Sequence, residues 1–139
     1  MPALTQARNT PKYSTNTVSD RLAIPVKANT RIWQGALVVF DAGFAAPARV
    51  ATGLVAVGVA ESTVDNLGGG GGALQVSIRR GAFIWANSSA IDQITQADCG
   101  KTAFIVDDNT VAKTDGGATR SAAGKILAVS PAGVTVETI

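Results

Sequence analysis

The chain has 139 residues, of which 46% are apolar, only 5% aromatic and 16% charged; it carries a net charge of +2 and contains no histidine. One domain is expected at this length, and the lack of histidine removes both the commonest general base and the commonest metal ligand. Cys99 is the single cysteine, which excludes an intrachain disulfide and fits assembly in a reducing compartment. No run approaches the ~18 consecutive apolar residues of a membrane span, and the polar start lacks the apolar core of a secretory signal.

Ala, Val, Gly and Thr fill the place of the missing aromatics and charges, a mix that favours β-structure with small, closely packed side chains. The low charge leaves much surface neutral and suits a protein held in a large assembly. Residues 1–34 carry Arg8, Lys12, Arg21, Lys27 and Arg31 against Asp20, a local +4, whereas the other 105 residues carry seven bases and nine acids. The N-terminal stretch and the body therefore have opposite signs, and the global charge is too small to argue for nucleic acid.

In chain order, residues 1–19 are polar, without apolar periodicity, and read as an extended arm that could reach ~60 Å at about 3.3 Å per residue. Arg21 to Val26 predicts a strand that Pro25 restricts to an edge or an end, and residues 27–30 a turn. Residues 36–40 (ALVVF) predict a strand buried on both faces. Residues 44–50, with Pro47, are expected to be irregular. Residues 54–60 (LVAVGVA) predict a strand with Val55, Val57 and Val59 on one face and a slim face of Leu54, Ala56, Gly58 and Ala60, open to close approach by another layer. Residues 61–66 leave that strand for Gly68 to Gly72, read as a flexible hairpin tip.

Residues 74–87 (LQVSIRRGAFIWAN) organise the rest. Leu74, Val76 and Ile78 alternate with Gln75, Ser77 and Arg79, so one face is apolar. Gly81 interrupts the alternation, which marks a bend, and Phe83 and Trp85 resume it. Thr95 and Asp98 have the spacing of a capping box that starts a single short helical turn, with Gly100 as its left-handed end. Residues 103–106 and 111–112 predict two short strands around a polar Asp107–Thr110 turn. Residues 114–124 predict a loop, and residues 125–129 and 134–139 a closing hairpin. The fold class is all-β: a small barrel or sandwich of about eight or nine short strands, divided into an arm at 1–29 and a single β-domain at 30–139.

Sites for chemistry are sparse. Gly100-Lys101-Thr102 imitates the end of a phosphate-binding loop, but Thr95 stands where its first glycine is needed. Asp107, Asp108, Asn109 and Asp115 match no calcium-loop spacing and read as solvated turns. Arg79 and Arg80 are adjacent on a strand, so they point to opposite faces, and a salt bridge to a neighbouring acid is expected. Cys99 reads as a small buried hydrophobe. Trp33, Phe83 and Trp85 read as core or interface anchors, not as a base-stacking platform. No nucleophile-and-base grouping emerges, so no enzyme, metal or cofactor is expected.

The order of pieces from Gly53 to Ile139 resembles the head decoration, or capsid cement, proteins of tailed bacteriophages. These pieces are LVAVGVAESTVDNLGGGG, VSIRRGAFIWANSS with its Arg-Gly-Phe-x-Trp bend, ITQADCGKTAFIVDDNTVAKT, and the SAAGKILAVSPAGVTVE ending. The resemblance implies a structural protein whose compact β-body forms trimers, or sometimes dimers, on the outside of the head. There it would grip junctions between major capsid subunits, with no active site and no cofactor. The implied location is the virion exterior, after assembly in the host cytoplasm, with no nucleic-acid or membrane partner. The residues expected at contacts with the capsid or a sister subunit are Arg8, Lys12, Tyr13 and Arg21 on the arm, and Trp33 and Trp85 on the body. The alternatives are another virion part, such as a tail-tube, tail-completion or spike subunit, and a small β-fold hydrolase or carbohydrate-binding module.

Overall fold

A computed structural model describes Gln6 and residues 21–138. Twelve short strands follow one another: β1 (Arg21–Pro25), β2 (Thr30–Ile32), β3 (Leu37–Asp41), β4 (Phe44–Pro47), β5 (Val55–Ala60), β6 (Val64–Asn66), β7 (Gln75–Arg79), β8 (Gly81–Trp85), β9 (Thr102–Ile105), β10 (Val111–Ala112), β11 (Ala122–Ser130) and β12 (Gly133–Thr138). The fold is all-β. One sheet has the order β1-β7-β5-β3-β4, a second β10-β9-β11-β12-β8, and β2 pairs with β6 in a two-stranded ribbon. All of these pairings are antiparallel.

Each five-stranded sheet brings its own edges together. Val26, just past β1, forms a parallel bridge with Ala45 of β4, and Ala86, just past β8, forms one with Thr110 beside β10. The first closure is sealed by the Lys27 N–H donating to the Ala45 carbonyl at 3.0 Å, the second by the Val111 N–H donating to the Ala86 carbonyl at 3.0 Å. Closing a sheet on itself satisfies the edge groups that would otherwise recruit another strand.

The 74–87 stretch bends as its pattern requires. Val76 and Ile78 are fully buried while Gln75, Ser77 and Arg79 face out. Gly81 takes φ +145°, which a side chain would resist. What reads as one bent strand is two strands in different sheets, so the Arg80–Gly81 bend carries the chain from the first sheet into the second.

The strong apolar run of β3 is buried on both faces. Leu37 and Val39 join the core shared with the second sheet, around Trp85, Ile105, Ile126, Val134 and Val136. Val38 turns the other way, into a core lined by Ile24, Val26, Ile32, Val57, Val76 and Ile78. In β5 the alternation is broken by a bulge: Val38 opposes Gly58 and Val39 opposes Ala56, so Val57 is the extra residue. Instead of three valines on one face, Leu54, Ala56 and Val59 meet the first core and Val57 and Ala60 the second, while Val55 stays exposed.

Other local expectations shift for physical reasons. Residues 44–47 are strand, because Pro47 sits at the last position of β4, the last strand in its sheet's order, where a missing N–H costs little. The 61–66 segment contains β6, a strand too short to show a period. These short elements raise the strand number above the eight or nine expected. The glycine run is tied down: Gly72 N–H donates to the Val26 carbonyl, Asn29 N–H to the Gly69 carbonyl, and the buried Asn66 amide reaches the Gly70 carbonyl. Two 3-10 turns form, at Ala90–Asp92 and Gln96–Asp98; the second carries the expected capping contact, Thr95 N–H to the Asp98 carboxylate at 2.8 Å. Arg21–Pro25, inside the span read as an arm, is paired along its whole length with β7.

Candidate interaction surface

Of the six residues expected at contacts, Arg8, Lys12 and Tyr13 lie outside the described residues. Arg21 opens β1 and pairs with Glu61 at 3.3 Å. Trp33 follows β2 and is 56% exposed, whereas Trp85 ends β8 and is only 4% exposed. Trp85 is a core residue, correcting its expected place at an interface. Its ring meets Phe83 edge to face, with centroids 6.5 Å apart.

Trp33 belongs to a surface of two shallow clefts that share Gln34 and Gly35, and Arg21 borders it through its ion pair with Glu61. The first cleft, ≈ 190 Å³, is walled by Val59, Ala60, Glu61 and Arg79. The second, ≈ 230 Å³, is walled by Trp33, Ala36, Asp108 and Asn109. The turn that carries Trp33 is fixed by the Ala36 N–H to the Trp33 carbonyl at 3.1 Å, the Gly35 N–H to the Ala60 carbonyl at 2.9 Å, and the Gln34 N–H to the Thr63 hydroxyl at 3.0 Å. The opposite wall is fixed as well. Leu37 N–H donates to the Asp108 carbonyl at 2.8 Å, which binds the acidic turn of the second sheet to β3 of the first.

Cationic groups stack on aromatic rings along this surface. The Arg31 guanidinium lies 5.1 Å from the Trp33 ring centre and pairs with Asp65 at 3.5 Å. The Arg79 guanidinium lies 5.3 Å from the Phe83 ring centre. A salt bridge was the expected fate of the Arg79–Arg80 pair; instead Arg79 is held by an aromatic face. Asp108 is half-buried, and that burial, followed by repulsion from Asp107, pushes its carboxyl above the usual carboxylate range.

A further cleft, ≈ 450 Å³, lies between β5 and the β11–β12 hairpin. Leu54, Val55, Ala56, Ala122 and Ala123 line most of it, with Lys125 and Glu137 as its charged groups. Those two are cross-strand partners, so each has an opposite charge beside it. Among the described residues, no three His, Cys, Asp or Glu side chains group closely enough to hold a metal ion, and no helix is long and apolar enough to cross a membrane. Cys99 is half-buried against the first core.

Gln34, Arg79, Asp108 and Asn109 contribute to this surface without having been singled out together by the sequence. They come from three separate segments, brought close by the pairing of β7 with β5 and by the Leu37 N–H to Asp108 carbonyl bond between the sheets. No protein-family model, no curated protein and no solved structure matches the chain.

Proposed function

We propose that this chain is a structural virion subunit, a head decoration protein that binds the outside of a tailed-phage head and cements junctions between major capsid subunits. The observation that carries the reading is the order of sequence pieces from Gly53 to Ile139, which resembles that class. The architecture is compatible with it. Two self-closed sheets leave few free edges to add strands, so binding would run through side chains. Trp33, Leu67, Ile84, Ile91 and Leu127 supply exposed apolar contacts. Many copies on one shell need only modest energy each, and a standard interface of ~1,600 Å² suffices for stable association. The self-association expected on this reading is a trimer, with a dimer as the other possibility, and no cofactor is required.

The experiment is direct. Purified protein is mixed with undecorated heads, and bound copies are counted against the major shell protein by mass analysis. Saturable binding at a fixed ratio to shell subunits supports the proposal; absence of binding, or incorporation into tails alone, discards it.

A further inference from the structure

We infer that the cleft between Trp33 and Asp108 is a receptor for a cationic side chain, a lysine or an arginine presented by a partner protein. The indole is large, exposed and held on a hydrogen-bonded turn. Arg31 already sits over this ring at 5.1 Å, which shows that the indole accepts a guanidinium. Asp108 lines the same cleft, half-buried on a turn anchored to β3. The ion pairs among the described residues engage Asp41, Glu61, Asp65, Asp92 and Asp98, and none engages Asp107 or Asp108.

Two adjacent carboxylates with no countercharge among the described residues, one of them partly desolvated, favour a cation electrostatically. An exposed aromatic face adds cation–π attraction, which grows as the site loses water. Gln34 and Asn109 on the rim offer amide groups to the remaining N–H donors of a guanidinium or ammonium. A neutral sugar could stack on the indole and use the same amides, but it would leave the two carboxylates uncompensated. The charge pattern therefore selects the cation. Cation binding here depends on the cleft's own groups and is independent of the capsid role.

The test is a titration of the full chain with acetyl-arginine amide and acetyl-lysine amide, followed by the two indole N–H resonances. Trp33 should shift in a saturable way while Trp85, inside the core, stays still. The Gln34 and Asn109 amides should move with Trp33. Asp108→Asn should weaken binding by about fivefold, the scale of one exposed ion pair. Asp115→Asn, an acid outside the cleft, should leave it unchanged. The inference is overturned if neutral acetyl-glutamine amide shifts Trp33 equally, if Asp108→Asn binds as the parent does, or if Asp115→Asn weakens binding as much. It is equally overturned if methyl glucoside moves Trp33 and the cationic amides do not.

Discussion

The Arg79 carbonyl of β7 occupies the space that a side chain on Gly58 of β5 would need. The two strands pair only at Val59–Arg79 and Ala60–Ile78, just after the β5 bulge. Backbone cannot yield as a flexible side chain does. Gly58→Ala should therefore force β7 away from β5 and cost about 3 kcal/mol, the upper range for overpacking. Urea unfolding should show a lower midpoint with an unchanged slope. Gly70→Ala, at a position where an added Cβ meets nothing within 4 Å, serves as the tolerant control.

Asn66 holds the glycine run in place. Its side-chain amide donates to the Lys27 and Gly70 carbonyls, both at 3.0 Å, and the residue is buried. Asn66→Ala would leave those carbonyls short of a donor and cost about 2 kcal/mol. It should also free residues 68–72, seen as faster amide exchange at Gly72, whose N–H donates to Val26. Unchanged exchange at Gly72 would mean that the backbone bonds alone fix the run.

The two tryptophans should respond in opposite ways. Trp85→Ala empties a well-packed core and should cost about 3–5 kcal/mol. Trp33→Ala removes an exposed ring and should change stability by about 0.5 kcal/mol or less, while weakening attachment to heads if the Trp33 surface takes part. Iodide should quench Trp33 fluorescence and spare Trp85. Equal quenching of both would contradict the burial of Trp85.

What the sequence made legible follows from range. The alternation at Val76 and Ile78, the bend at Gly81 and the Thr95–Asp98 cap are signals spanning a few residues, and each appears where the local pattern places it. The β5 bulge was invisible because it is set by register against β3 and by the approach of Arg79, both distant in sequence. The glycine run misled for the same reason: Asn29, Asn66 and Val26, which tie it, are not read from five glycines. The candidate surface was half legible. An exposed tryptophan after a short strand is a local feature, but its meeting with Asp108 depends on β3 accepting the acidic turn.

Acid should separate two carboxylates. Lys27, at 2.7 Å, and Arg49, at 2.9 Å, hold the Asp41 carboxyl below its ordinary value of 3.8. Asp92 and Asp98 are also held low, chiefly by the Thr114 hydroxyl and the Thr95 N–H respectively. A lowered folded pKa adds stability above the unfolded value, which is lost as pH falls through about 4 and below. Asp108 has the reverse sign: its raised folded pKa costs stability at neutral pH, and the cost fades as the group takes up its proton. Asp41→Asn should therefore destabilise at pH 7, by less than about 1 kcal/mol because both bases are partly solvated. Asp108→Asn should stabilise at pH 7. Both differences from the parent should shrink toward pH 3 in thermal melts, and a difference for Asp108→Asn that grows on acidification would contradict its raised pKa.

The boundary of the N-terminal segment decides how its role can be tested. Removing residues 1–29 would delete β1, and with it Ile24 and Val26, both buried in the second core. It would also remove Lys27, whose N–H and ammonium bind the Ala45 carbonyl and Asp41. Such a chain should fail to fold, because the loss exposes β7 along the whole of its paired length. Removing residues 1–20 keeps every residue of the β1–β7 pairing while taking away Arg8, Lys12 and Tyr13. If those residues bind an acidic shell surface, this shorter deletion should lower the association rate with heads and flatten its salt dependence. Equal association rates for the full chain and the 21–139 chain, both folded, would assign head binding to the β-body alone.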